Sequence, residues 1–491
     1  MGANYKNIIR MFFNFEPIKT NCEYVFRREH PKFAEARETW LRSKAAYSGG
    51  RDYINAALIK HVSEIDPEFE ERRRRAYYFN YPRKIARLIS QYIFSSEPQR
   101  KNANPDTVED FSRSGLRANE VMRQFSTMLN VYGAAWMLVE MPSFEGDLDH
   151  GRKQRERIRP YAVALSPLSV ADWAFGSDGM LLWALVEENV RCSSDPFTPP
   201  SGKLRRRLWT RDQWMLFEKA DGGVQMIGQG EHGLGIVPLI RCEESDGFGM
   251  DANHWFEDVV RVSDAILNNE SEGQMNIVKQ MFGLLVISEN FARSTKTLDP
   301  ELADSAAVRK FSHVLARSAA IWESPEEKGI SRYIAPTGAE TACIREENLN
   351  LKKELFDVIG LAVQKDVNVA QSAESKAWDQ QNVRQFLATR ADMLEQAEMQ
   401  AWKIMHAWDP SISVPEISYN REFAVIDLKD SITALLGLKD IDAGREYRSE
   451  LARSAVSLLE KIKKISPQTR KEIFAQIDAG VDNYSPATRE V

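Results

Sequence analysis

Residue types that could do covalent or metal chemistry occur in this chain, but their spacing does not suit it. The one phosphate-loop lookalike is Gly228-Gln-Gly230-Glu-His-Gly233, which fits G-x-G-x-x-G. A dinucleotide loop must lie between a strand and a helix, so that the helix N-terminus faces the pyrophosphate. Here a β-type run, Ile236-Val237-Pro238-Leu239-Ile240, follows instead, and the glycines read as a turn. No G-x-x-x-x-G-K-[ST] loop occurs, which excludes a phosphate-loop ATPase. No H-E-x-x-H occurs either, and His30, His61, His150, His232, His254, His313 and His406 show no metal-ligand clustering. Asp264, Glu270 and Glu272 fall close together on a predicted helix, where a polar surface explains them more simply than acid–base pairing. No catalytic residue, metal or cofactor is expected, and the chain reads as a non-enzyme.

Other conspicuous residues also have structural readings. Arg72 to Arg75 follow Glu68, Glu70 and Glu71, the pattern of a charge-laced helix end. Arg205 to Arg207 sit among apolar strand residues and read as a solvated strand face. Trp378, Trp402 and Trp408 read as core or interface anchors rather than base-stacking platforms.

These residues must be positioned by a chain of 491 residues, 43% hydrophobic, enough for a sizeable core and more than one structural unit. With 71 acids against 65 bases the formal charge is -6, which argues against a protein that coats DNA by neutralising phosphates. It leaves room for one past which DNA slides. The longest apolar runs, such as Tyr132 to Val139 and Phe282 to Ile287, are far too short to span a membrane. Arg10 interrupts the apolar stretch Ile8 to Phe13, which does not read as a secretory signal. Cys22, Cys192, Cys242 and Cys343 lie far apart with no CxxC spacing, the pattern of unpaired buried thiols in a reducing compartment.

Periodicity predicts an α+β chain that is mainly helical. Residues 30 to 142 read as helix, with His30 to Ser48 stopping at Gly49-Gly50. Tyr81-Pro82 opens an amphipathic segment carrying Ile85, Leu88, Ile89, Tyr92 and Ile93. A further helix, Ala118 to Val131, leads through Tyr132-Gly133 into a strand, Ala134 to Met141. From Arg159 to Cys242, short runs rich in Val, Leu, Trp and Phe alternate with turn residues, the signature of antiparallel hairpins, with a loop at Asp195 to Lys203. Asn253 to Met281, Glu340 to Gln364 and Lys376 to Trp408 then read as long helices, with a mixed insert between the first two. A strand-like piece, Ser413 to Asp427, and a charged helical tail, Ser431 to Gly480, complete the map. Long helices with such thin apolar stripes need burial against neighbouring copies.

The order of these pieces resembles the portal family of tailed bacteriophages, over nearly the whole chain. Tyr81-Pro82-Arg-Lys-Ile85 through Phe94, followed by Glu97-Pro98, is similar to the helix such proteins carry before a short phrase ending in proline. Leu129-Asn-Val-Tyr132-Gly133-Ala-Ala-Trp-Met-Leu-Val139 resembles the family's helix-to-strand step. Leu165-Ser-Pro167-Leu-Ser-Val170-Ala-Asp-Trp173 and His232-Gly-Leu-Gly235-Ile-Val-Pro238-Leu-Ile240 resemble two of its strands, the second entering the helix that holds Asp264 and Asn268. The chain departs from the family before its longest helix, where Gln371-Ser372-Ala373-Glu374-Ser375 stands in place of a strong Ser-Gly signature.

The resemblance implies a portal fold with wing, stem, clip and crown regions. The wing would be residues 1–250 with the long helix and strand of 376–428, the stem helices 251–284 and 339–365, and the clip 285–338. The tunnel loop would be 366–375 and the crown 429–491. It further implies a dodecameric ring at one capsid vertex of the virion, assembled in the host cytoplasm, through which double-stranded DNA enters and leaves. Expected partners are the major capsid protein and scaffold, the terminase large subunit and a head–tail connector or adaptor, with no membrane involved. Glu257, Asp264, Glu272, Lys352, Lys353, Lys365, Gln371, Ser372 and Lys376 would be the residues facing the channel or near DNA. The first stem segment carries Glu257, Asp258, Asp264, Glu270 and Glu272 against Arg261 and Lys279, and residues 340–366 carry six acids against four bases. A ring multiplies such an excess, so the tunnel would repel phosphate, with bases giving only transient contacts. The competing readings are another phage structural ring, such as a connector or baseplate component without a DNA channel, and a nucleic-acid-processing enzyme, for which no motif is present.

Overall fold

The computed structural model describes residues 19–142, 158–191, 202–220, 222–244, 254–281, 284–288, 320–323, 332–334, 338–357, 373–421, 423, 444–462 and 467–480. The chain is α+β and divides into a large unit, Met1–Glu422, and a small one, Phe423–Val491.

The large unit opens with helices whose boundaries follow local chemistry. α1 (Lys19–Arg27) precedes α2 (Pro31–Ser48), which begins where Pro31 presets φ and the His30 side chain accepts from the Lys32 amide at 3.2 Å. Next come α3 (Arg51–Ala57), α4 (Asp66–Arg75) and α5 (Tyr81–Ile93). Asn80 caps α5 by accepting from the Arg83 amide at 2.8 Å, and Ile85, Ile89 and Ile93 form its buried face. β1 (Gln99–Lys101) and the short α6 (Pro105–Glu109) lead to α7 (Ala118–Tyr132). Gly133, at φ 72°, ends α7 in the left-handed conformation glycine adopts without strain, and β2 (Ala134–Glu140) starts at once.

Two antiparallel sheets follow. β3 (Tyr161–Leu165) pairs with one edge of β2; β4 (Val170–Phe175), β5 (Leu181–Arg191), β6 (Gly202–Thr210), β7 (Gln213–Ala220) and β8 (Gly223–Glu231) form a meander; β9 (Leu239–Glu243) returns to the other edge of β2. Trp40, Trp136, Trp173 and Trp209 join Phe256 and Val260 in the core between the helices and these sheets. Burial of each such side chain contributes on the order of 1.5–3 kcal/mol.

Three expectations change here. Gly228 and Gly230 lie within strand β8, not in a turn. A Cβ on Gly230 would meet Trp214 Nε1 at 2.8 Å, so the glycine leaves room for an indole. Arg205 to Arg207 are not solvated, because acids stand opposite them across the sheet. Arg205 meets Glu218 at 2.8 Å, Arg206 is buried beside Glu187 at 3.1 Å, and Arg207 reaches Glu140 at 2.6 Å and Glu188 at 2.9 Å. Among the cysteines, burial pushes the Cys242 thiol up to about 12, but Cys343 is exposed. Cys192 lies outside the described residues.

α8 (Trp255–Met281) leaves this body, and an insert of three strands follows: β10 (Leu284–Ser288), β11 (Ala320–Glu323) and β12 (Arg332–Ile334). β10 is central, parallel to β11 and antiparallel to β12. α9 (Gly338–Asp357) comes next, then α10 (Ala373–Trp408), which already includes Ala373 to Ser375 of the expected tunnel loop. Of the strand expected over Ser413 to Asp427, the described residues show β13 (Glu416–Ser418), which pairs with β1; Glu422 and residues 424–427 lie outside them. In the small unit, α11 (Arg445–Ile462) and α12 (Pro467–Gly480) are joined by Arg453–Asp478 at 2.8 Å.

α10 is locked to the β1–β13 pair by a buried ion pair. Arg100 donates to both Glu398 oxygens at 2.5 and 3.0 Å, while the Tyr419 hydroxyl and Trp402 indole donate to the same carboxylate at 2.6 and 3.2 Å. Glu398→Ala, which strands the Arg100 guanidinium, should cost roughly 3–5 kcal/mol in chemical denaturation. Arg100→Met combined with Glu398→Leu should recover only part of that loss, because the buried Tyr419 hydroxyl and Trp402 indole still lose their acceptor.

Candidate functional site

α8 and α9 are the helices that the sequence leads one to expect at a channel wall. They pack antiparallel: Asn269 donates to Asn348 at 3.0 Å, Gly273 lies opposite Ile344, and Asn276 donates to Thr341 at 3.2 Å. Asn348 also donates to Glu270 at 3.0 Å and is buried. Polar pairs at successive levels set the register more sharply than an apolar seam, since sliding would leave buried amides unpaired. The seam is narrow. Of residues 338–355, only Asn348 and Leu355 are buried, so most of the α9 surface is open.

The root of α8 is fastened to the body by a four-residue clasp. Glu244, just past β9, receives His254 Nδ1 at 3.0 Å and also pairs with Arg390 of α10. His254 Nε2 lies 2.9 Å from the Asn130 carbonyl, and Arg390 donates to the Asn130 side chain at 3.0 Å. Asn130 in turn donates to Ala86 O and Ser90 Oγ, both at 3.2 Å, which brings in α5. Burial alone would raise the Glu244 carboxyl; the His254 hydrogen bond and the Arg390 charge outweigh it and hold it at about 2. Gly133 belongs to this arrangement, because a Cβ there would meet the His254 ring at 3.0 Å.

Farther along, α8 rests on the N-terminal helices. Asp264 accepts from Arg42 at 2.8 Å and from the Tyr53 hydroxyl; burial, then the charge of Asp264, raises the Tyr53 pKa and keeps it a donor. Buried Arg72 bonds Ser271 Oγ at 2.9 Å, Glu64 at 2.8 Å and Ile59 O at 2.6 Å. It is therefore a bolt between the 58–65 loop and α8, while Arg73 and Arg75 pair with Glu70 and Glu71 on the surface of α4, as expected of a charge-laced helix end.

The expected channel residues are not gathered at one place. Glu257 pairs with Arg261 at 2.6 Å, and Asp264 is turned toward the chain's own helices. Glu272 and Lys353 are exposed, whereas Lys352 pairs with Glu270 at 3.7 Å and sits 6.0 Å above the Phe79 ring. Lys376 lies in α10, and Lys365, Gln371 and Ser372 lie outside the described residues. Sequence reasoning missed Asn130, Glu244, His254 and Arg390, which are separated along the chain and share no local pattern. Asn348 was findable, as a polar residue within the helical stripe of Ile344, Leu351 and Leu355. Among the described residues no three His, Cys, Asp or Glu are placed to hold a metal ion, and no helix is long and apolar enough to cross a membrane.

Asn348→Ala should cost about 1–3 kcal/mol and speed amide exchange across 338–357 selectively. The clasp should weaken with acid: a carboxyl depressed from 4.5 to about 2 stabilises the fold fully above its ordinary value and loses that contribution as pH falls toward about 2. Glu244→Gln should flatten this acid limb in unfolding midpoints measured between the two values.

No family model matches the chain, and no curated protein matches it.

Proposed function

We propose that this chain is the portal subunit of a tailed bacteriophage, a ring-forming protein through which double-stranded DNA is packaged and ejected. The observation that carries the proposal is α9: a twenty-residue helix whose described side chains are buried along one line only. Such a helix needs further partners, and copies arranged around an axis supply them. The insert of β10, β11 and β12 between α8 and α9 supports the same reading, as the unit at which a motor and later a connector would dock.

In this ring the outermost line of α9, Glu346, Asn350 and Lys353, faces the channel, with signs mixed so that phosphate is neither gripped nor strongly repelled. Glu257 and Asp264 contribute little to the channel field, being matched by Arg261 and Arg42. The mechanism is passage rather than catalysis, at a capsid vertex of the virion, with capsid protein, scaffold, terminase and connector as partners. Purified protein imaged by negative stain, with its mass measured in the native state, should give annular particles of about a dozen copies with a central hole. A compact single copy at every concentration would overturn the proposal, and a ring without a hole would favour a connector or baseplate component.

A further inference from the structure

Resting on the ring reading, we infer that this chain carries both halves of a head-to-tail contact on opposite flanks of α8 and α9. The halves are an aliphatic knob of Ile59, Val62 and Ile65 and an aromatic seat of Tyr77, Phe79 and Leu349, and each is filled by the other half on a second copy.

The knob lies on the loop between α3 and α4, where Ile59, Val62 and Ile65 are 72%, 100% and 60% exposed. The loop is held in place from beneath: its Ile59 amide donates to Asn268 at 2.9 Å, and Arg72 binds its Ile59 carbonyl and Glu64. Fixing three aliphatic side chains in water is unfavourable unless something covers them. The seat is built alike. Tyr77 and Phe79 meet edge to face at 5.0 Å; Phe79 is 50% exposed, and Leu349 on the neighbouring turn of α9 is 53% exposed.

The two patches cannot meet within one chain. Asn268 holds the knob loop, while Glu270 receives the Tyr77 hydroxyl at 3.4 Å and Lys352 at 3.7 Å. Two residues on a helix are about 200° apart, so knob and seat look out from opposite sides of α8.

Charge selects a second copy as the occupant. With Asn348 facing α8, the helical period puts Arg345 and Leu349 on the seat side of α9, where Lys352 is already paired with Glu270, and Glu347 and Glu354 on the knob side. The bases near the knob are matched internally, Lys60 by Asp66, Arg261 by Glu257 and Lys279 by Glu68. The flank carrying Glu347 and Glu354 therefore opposes the flank carrying Arg345 on the next copy, which sets orientation as well as attraction. Two different patches propagate head to tail and close as a ring; a two-fold dimer would leave half of them bare.

The test uses Val62→Asp and Phe79→Asp, each at an exposed position. Each variant alone should sediment as single copies, with assembly affinity lowered by at least about tenfold. Mixed in equal amounts, they should form a two-copy complex and nothing larger, because each retains one good face. Rings that survive both substitutions, or a mixture that stays as single copies, would overturn this contact while leaving the ring reading intact. A wild-type chain that never assembles would remove the ring reading and the contact with it.

Discussion

Where β9 ends and α8 begins, one carboxylate binds two side chains that belong to different parts of the chain. Glu244 draws His254, at the root of α8, and Arg390, in the middle of α10, against the buried Asn130 amide of α7. Removing charges from water is costly unless they are paired, and here the Arg390 guanidinium meets the Glu244 carboxylate while donating to the Asn130 side chain. A long helix is only as well aimed as its first turns. The apolar contacts of Phe256 and Val260 bind that root to the core but are tolerant of rotation; the directional bonds to Glu244 and Asn130 are not. Gly133 is required at this point because nothing larger leaves space for the imidazole.

From that root onward α8 is held by polar contacts as well as by packing. Asp264 with Arg42 and Tyr53, Ser271 with Arg72, and Asn348 with Asn269 and Glu270 form a ladder of side-chain bonds along α8. α8 thus combines a buried apolar face of Phe256, Val259, Val260, Ile266 and Leu267 with directional polar bonds, while aliphatic and aromatic groups stay open on its flanks.

Periodicity exposed the helices because each boundary is enforced locally: Pro31 and His30 start α2, Asn80 and Pro82 start α5, and Gly133 ends α7. The meander was equally legible from alternation and turn residues. Errors arose where partners are remote. Arg205 to Arg207 read as solvated because Glu140, Glu187, Glu188 and Glu218 become their neighbours only once the strands pair. Gly228 and Gly230 read as a turn because Trp214, which needs their missing side chains, lies on the adjacent strand. Acids on α8 read as a uniformly polar surface, although a rotation of one residue separates Glu272, in solvent, from Ser271, against Arg72.

By itself the amino-acid sequence determined the order of the elements described, the α+β class, the absence of familiar catalytic spacings, and three long helices with thin apolar stripes. All of these depend on period, composition and nearest-neighbour sterics, which act over a few residues. Tertiary structure alone decided which carboxylates are neutralised, which arginines are buried, how α8 is anchored, and which apolar groups remain open on each flank. Those outcomes depend on pairing groups up to hundreds of residues apart, and the energy of such a pair is set by distance and burial, neither of which is written in local order.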